Sequence, residues 1–118
     1  MYKRHEIGKY GEEQATKYLC SKEYKIIERN FECKQGEIDI IALDKKELVF
    51  VEVKTRTDNM YGEPAEAVTN LKIKHLQNTI EYYLYVRNLE NENVRIDVIE
   101  VYFIKNNVKI NHIKKAIE

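Results

Sequence analysis

Apolar and polar positions alternate from Gly36 to Arg56, which reads Gly-Glu-Ile-Asp-Ile-Ile-Ala-Leu-Asp-Lys-Lys-Glu-Leu-Val-Phe-Val-Glu-Val-Lys-Thr-Arg. Successive strand side chains point to opposite faces, so the pattern predicts two strands joined at Lys45-Lys46. Glu37 and Asp39 then share one face of the first strand, and Phe50, Glu52 and Lys54 share one face of the second. The β-branched Ile38, Ile40, Val49, Val51 and Val53 are predicted to cover a core. With Lys45 and Lys46 as the turn, Asp44 falls opposite Glu47, Ala42 opposite Val49, Ile40 opposite Val51, Asp39 opposite Glu52 and Glu37 opposite Lys54. Facing carboxylates are unfavourable in a setting where a good cross-strand pair is worth roughly 0.2–1 kcal/mol, and a divalent cation would relieve them. Lys-Lys suits the positive-φ positions of a tight turn poorly, and a longer loop would shift the partners.

The period changes on either side. From about His5 to Ser21 it is helical, with Ile7, Gly11, Ala15 and Leu19 four apart and Tyr18 beside them. Gly8 and Gly11 each cost about 1 kcal/mol relative to Ala inside a helix. A helix that keeps both is expected to need its backbone close to something, either the sheet or a substrate backbone, with Glu12 turned toward the site. Tyr24 to Cys33 is rich in β formers and ends before Lys-Gln-Gly, so it is predicted as the first strand. Thr57 to Pro64 carries loop signals, and Ala65 to Val68 follows Pro64 as a short turn of helix. After Thr69 or Asn70 as N-cap, a longer helix is predicted to about Asn88, with Leu71, Leu76, Ile80, Tyr83 and Leu84 on its buried stripe and Lys72, Lys74 and His75 outside. Val94 to Ile104 reads as a fourth strand, Asn106-Asn107 as a turn, and Val108 to His112 as a fifth strand. The order predicts one α/β domain over residues 1–118, with a mixed five-stranded central sheet flanked by helices.

Composition narrows the class. Hydrophobic residues make up 43% and charged ones 34%, with one Pro and four Gly, which is a folded globular chain. Lys plus Arg number 20 and Asp plus Glu number 20, so any basic surface for nucleic acid must be local. Cys20 and Cys33 form no C-x-x-C and have no His at metal spacing, and the chain carries no signal-peptide pattern or long apolar run. A soluble, cytoplasmic, reducing context is expected, with no membrane partner.

Asp39 inside Ile-Asp-Ile-Ile and Glu52 inside Val-Phe-Val-Glu-Val are carboxylates in strands that otherwise favour burial. Hard oxygen donors of this kind suit Mg²⁺ (or Mn²⁺), which would retain several waters, and the backbone carbonyl of Val53 could reach the same ion. A metal held there would lower the pKa of a bound water and take up charge on a phosphate oxygen. Lys54, two residues after Glu52 on the same face, could position that water or stabilise developing charge, and Glu12 could add an acceptor from the first helix. From these residues alone a solvated salt-bridge ladder remains the other reading. Arg56, Lys72, Lys74 and His75 are candidates for phosphate contact, against the ordinary reading of an exposed charged helix face. Tyr82, Tyr83 and Tyr85 could stack on bases, with core packing expected for at least one. Asp97 is expected to pair with Arg95 in a structural role, and His112 stands isolated.

Several motifs together carry a resemblance: Gly8-x-x-Gly11-Glu12-x-x-Ala15, Arg29-Asn30-Phe31, Gly36-Glu37-Ile38-Asp39, Phe50-Val51-Glu52-Val53-Lys54-x-Arg56, Gly62 with Pro64-Ala65-Glu66-Ala67-Val68, and Arg95-Ile96-Asp97-Val98. Over nearly its whole length the chain resembles the YraN-like family of small uncharacterised bacterial proteins. These look like members of the PD-(D/E)XK, restriction-endonuclease-like superfamily and are similar to archaeal Holliday junction resolvases. The resemblance implies a helix-flanked mixed sheet with the catalytic Asp on the second strand and Glu-x-Lys on the third, roles that fall on Asp39, Glu52 and Lys54. The first-helix acid of the resolvase-like branch falls on Glu12. No Pro precedes Asp39, where Ile38 stands instead. The implied activity is Mg²⁺-dependent cleavage of DNA, branched or structured DNA included, by a homodimer. The alternative is a non-catalytic nucleic-acid-binding module on the same fold, since fold does not fix function.

Overall fold

The first helix, α1 (Arg4–Ser21), buries Gly11, Ala15 and Leu19, the stripe that the four-residue spacing predicts. It ends where Glu23 turns left-handed at φ 68°, with the Tyr24 N–H bonded to the Leu19 carbonyl and the Glu23 N–H to the Cys20 carbonyl, both at 3.0 Å. Leu19 and Tyr24 then pack in one core, the hydrophobic contact that accompanies this type of helix end. The second helix, α2 (Asn70–Val86), stops in the same way. Asn88 takes the left-handed position at φ 57°, Leu89 N–H reaches the Leu84 carbonyl at 2.8 Å, and both leucines pack on a second core.

These elements come from a computed structural model that describes residues 4–57 and 70–117. The predicted loop to Pro64, the helical turn at Ala65 to Val68 and the Thr69 cap lie outside the described residues.

Five strands, β1 (Lys25–Cys33), β2 (Gly36–Asp44), β3 (Glu47–Thr57), β4 (Val94–Ile104) and β5 (Asn107–Ile117), form one sheet in chain order. All neighbours are antiparallel except β3 and β4, which run parallel because α2 lies in the crossover between them. The sheet is thus mixed, as the sequence predicts. On one face Ala15 and Leu19 of α1 meet Tyr24, Ile40, Ala42, Val49, Val51, Ile99 and Val101. On the other, Ile80 and Tyr83 of α2 meet Phe31, Ile38, Ile41, Leu48 and Phe50. Among the described residues, no helix is long and apolar enough to cross a membrane.

The β2–β3 turn is Lys45-Lys46, with Lys45 left-handed at φ 58°, and the predicted pairs Asp44–Glu47, Ala42–Val49 and Ile40–Val51 all form. The next hairpin differs from expectation. Lys105 and Asn106 are the left-handed turn residues, at φ 51° and 63°, while Asn107 already pairs with Ile104, and β5 continues past His112 to Ile117. Leu71, expected on the α2 stripe, is 63% exposed, and Thr79 is buried instead.

The two glycines of α1 separate cleanly. A Cβ on Gly11 would overlap Thr55 Oγ1 of β3, so tight packing on the sheet accounts for this residue, whereas nothing lies within 4 Å of a Cβ on Gly8. Gly11→Ala is expected to destabilise by about 1–3 kcal/mol through overpacking, and Gly8→Ala to stabilise by up to about 1 kcal/mol through helix propensity. Urea denaturation of the two variants checks this. Shifts of the same sign would refute it.

Beside the α1-side core lies a buried ionic network. Arg95, its side chain 8% exposed, bonds Asp97 (3.0 Å from Nε), Asp44 (2.9 Å), Glu47 (3.0 Å) and the Tyr24 hydroxyl (2.6 Å). Asp97 is fully buried and also accepts from the Lys115 N–H at 3.1 Å. His112, expected to be isolated, is part of this set: its Nε2 lies 2.7 Å from Asp97 and its Nδ1 3.1 Å from the Tyr18 hydroxyl. A carboxylate only accepts, so Nε2 donates to Asp97, and in the neutral ring Nδ1 accepts from Tyr18. His112 sits opposite Ile99 in the β4–β5 ladder, and the extension of β5 past it, which the sequence did not reveal, adds the Lys115 N–H to Asp97.

Candidate functional site

The site grows from a fault in the sheet. The β1–β2 ladder pairs Arg29 with Ile40 and Phe31 with Ile38 but omits Asn30 and Asp39 between them. Asn30 is left-handed, at φ 54°. Across this step both strands change face. Arg29 reaches Glu13 of α1 and Ile40 packs in the α1-side core, whereas Phe31 and Ile38 pack with α2. The expectation that Ile38 and Ile40 share a face is therefore corrected. β1 turns over at left-handed Asn30 and β2 turns over with it at Asp39, a step that strict period-two alternation does not contain.

The same step opens β2 from β3. Their ladder stops at Ile40–Val51, so the predicted backbone pairs Asp39–Glu52 and Glu37–Lys54 lie beyond it. Asp39 instead turns its carboxylate onto β3, where Oδ2 accepts the Val53 N–H at 2.8 Å. β3 continues alongside β4 as far as Thr57, so it projects Glu52 and Lys54 from a strand still held on one side. Lys54 Nζ stands 3.7 Å from Glu52 Oε1, and their side chains are 21% and 31% exposed.

Electrostatics tie the acids together. Burial raises the Asp39 carboxyl to about 6, with repulsion from Glu12 and Glu37 adding to it and the Val53 N–H and Lys54 opposing it. Burial raises Glu52 to about 7, with Asp39 as its largest repulsive neighbour and Lys54 opposing. Glu12 is also raised by burial, against the pull of Arg29 and of hydrogen bonds to Asn30 and Asp39. Burial first, and neighbouring carboxylates second, raise Asp39 and Glu52, the pattern that marks a candidate functional site.

Glu52 and Lys54 open into a groove of about 500 Å³, which Arg56 shares and which α2 walls with Lys72 and His75. Lys74, also proposed for phosphate contact, does not line it. On the α1 side, Glu12 lies in a second, more open cleft of about 530 Å³ with Lys9, Tyr10, Arg29 and Asn30. Asp39 lines neither depression. Tyr83 is core, 1% exposed and stacked edge-on against Phe31 and Phe50, while Tyr82 and Tyr85 are exposed.

Among the described residues, no three His, Cys, Asp or Glu side chains are gathered to hold a metal by themselves. Asp39 and Glu52 are a two-carboxylate donor set whose pKa values stay raised despite Lys54 and the Val53 N–H, which fits a hard divalent cation that keeps most of its waters. Val53 presents its N–H to Asp39. Asn30 is the site residue that sequence reasoning passed over as only part of a motif. An Asn inside a strand pattern, an αL-tolerant residue, was the available signal.

The helix-flanked mixed sheet, with acids on β2 and β3, is a single α/β domain consistent with a restriction-endonuclease-like fold. A family model described as "Uncharacterised protein family UPF0102" matches residues 11–101, and the chain belongs to that family. It is 46% identical to a UPF0102 protein of Caldicellulosiruptor saccharolyticus, over 96% of this chain and 98% of that one. It is also 46% identical to a UPF0102 protein of Clostridioides difficile, over 94% and 96%. A solved structure described as the crystal structure of SSO0001 aligns at 17% identity and a TM-score of 0.33, covering 95% of this chain, which spans 52% of that structure's length.

Proposed function

We propose that this protein is a Mg²⁺- or Mn²⁺-dependent DNA endonuclease of the cytoplasm, acting on branched or otherwise structured DNA as a homodimer. The observation that supports it most is the meeting of Asp39, Glu52 and Lys54 where β2 parts from β3, with both carboxyls raised chiefly by burial and Glu52 further by Asp39. Asp39 and Glu52 would hold the cation, with the Val53 carbonyl as a third donor. When bound, the ion supplies a water of lowered pKa and a counter-charge for the phosphate. Lys54, beside Glu52, would stabilise charge developing on the phosphate oxygens. Glu12, an acid of α1 whose charge repels Asp39, would accept a proton from the water side. Arg56, Lys72 and His75 would contact backbone phosphates along the groove, each contact adding salt-dependent affinity. Lys74 is the weakest of the proposed contacts because it is off that groove.

A non-catalytic nucleic-acid-binding module is the second reading, favoured by the two-carboxylate donor set, which is sparse for a metal site. Calorimetric titration of Mn²⁺ or Mg²⁺ separates the two, comparing wild type with an Asp39→Ala/Glu52→Ala variant and assaying both on branched and linear DNA. Metal binding and cleavage lost together in the variant is the expected result. Negligible metal binding by both proteins, with DNA affinity intact, would leave the binding module.

A further inference from the structure

The sheet face that carries Glu52 and Lys54 continues past them into a row of side chains that the acidic centre does not use. On β3, Val49, Val51 and Val53 pack toward α1, so alternation turns Glu52, Lys54 and Arg56 to the other side. On β4, Ile99, Val101 and Phe103 pack toward α1, which turns Val98, Glu100 and Tyr102 the same way. Arg56 is the partner of Tyr102 in the β3–β4 ladder, and Lys109 is its partner in the β4–β5 ladder. A tyrosine thus stands between two cations in a row that crosses β3, β4 and β5. Lys109 is exposed, and Arg56 and Tyr102 are half-buried. Ile80 and Tyr83 of α2 cover Leu48 and Phe50, toward the opposite end of β3.

The ring is also uncommitted to other rings. Of the described tyrosines, Tyr10, Tyr18, Tyr24, Tyr82 and Tyr83 each meet an aromatic or histidine ring, and only Tyr85 and Tyr102 do not. Tyr85 has no Lys or Arg one turn away on α2, whereas Tyr102 has a cation on either side. An aromatic ring on a sheet face, flanked by cations, suits an unpaired strand, whose bases offer a free face and whose phosphates need counter-charge. Bases in a duplex are already stacked on each other, and freeing one costs energy. Glu100, the acid nearest the row, is Lys54's partner in the ladder and accepts from the Asn111 amide at 2.8 Å. By strand spacing Tyr102 lies about 8 Å from Lys54, roughly two or three nucleotides of stacked strand at about 3.4 Å each.

We propose that the Arg56, Tyr102 and Lys109 row is a platform for single-stranded DNA, on which Tyr102 stacks a base and the two cations hold the neighbouring phosphates. Its role in substrate choice rests on the nuclease reading above: the platform selects DNA that is unpaired beside the phosphate at the acids, as in a flap or a single-stranded arm.

The test titrates metal-free protein, so that no cleavage intervenes, into labelled oligodeoxythymidylate and into a duplex of the same length. Wild type is expected to bind the single strand more tightly. Tyr102→Leu should lower that affinity about tenfold, the scale of one lost base stack, while Tyr102→Phe keeps the ring and stays within about twofold. Lys109→Gln, a change at an exposed position that spares the fold, should reduce the salt slope by about 0.7, as for one phosphate contact to a single strand. Wild-type affinity in Tyr102→Leu would overturn the proposal, as would an equal loss in Tyr102→Phe, an unchanged slope in Lys109→Gln, or a wild type that binds the duplex at least as well. Mn²⁺-dependent cleavage by the same preparations is scored separately. Cleavage with unaltered binding in Tyr102→Leu sinks the platform alone, and Tyr102-dependent binding without cleavage sinks the nuclease alone.

Discussion

Asp97→Ala is expected to cost about 3–5 kcal/mol of folding stability, the range for breaking a buried ion pair by removing one partner. The carboxylate is fully buried and takes bonds from Arg95, His112 and the Lys115 N–H, so its loss leaves a nearly buried guanidinium and an imidazole short of their partner. Glu13→Ala is the control. It removes an exposed pair with Arg29, 3.3 Å long, and should cost no more than about 1 kcal/mol. Urea midpoints of the two variants measure the contrast, and equal, small losses would mean that the network contributes little. Acid should act on the same group. Burial pushes the Asp97 carboxyl up, but hydrogen bonds from His112, Arg95 and the Lys115 N–H outweigh it and hold the carboxyl below its usual range. Its contribution is therefore present above the ordinary carboxylate pKa and lost as the pH falls through its own lower value.

The site acids have the opposite sign. Glu52 is raised to about 7 and Asp39 to about 6, so the folded, metal-free protein binds their protons more tightly than the unfolded chain does. Their stabilising contribution is complete below the ordinary carboxylate values and is lost as the pH rises through about 6 to 7. Glu52→Gln removes that loss. At pH 8 without metal, the variant is expected to exceed wild type by on the order of 2 kcal/mol after allowance for partial exposure, or roughly 5–10 °C in thermal midpoint. The gap should close toward pH 4, and Mg²⁺ should stabilise wild type more than the variant. Thermal melts across pH, with and without Mg²⁺, measure all three. A variant no more stable than wild type at pH 8 would refute the strained pair.

Such a pair was legible in the sequence because two carboxylates interrupt β-branched runs on neighbouring strands. Alternation also located β2 and β3, and the pairs counted from an assumed Lys45-Lys46 turn formed as far as Ile40–Val51. The change of face at Asn30 was not legible, since period-two reasoning assumes an unbroken strand and both β1 and β2 turn over at this step. Leu71 was placed inside because helical periodicity cannot tell whether a sheet extends under the first turn of α2. His112 seemed isolated because its partner, Asp97, lies 15 residues away on the strand that β5 pairs with. Register decides that meeting, and the length of β5 past His112 was not marked by any alternation.

The left-handed residues have one more consequence, at the margins of the sheet. β1 and β5 are its outer strands, and neither offers an even row of backbone donors and acceptors. The register of β1 shifts between Ile26 and Glu28 before the break at Asn30, and that of β5 is irregular opposite Ile96 and Val98, near left-handed Lys115. Exposed Lys109, Lys114 and Lys115 add like charge along the β5 margin. A strand from another molecule laid against either side would meet kinks and repulsion in place of a continuous ladder, which guards the domain against growing by edge addition.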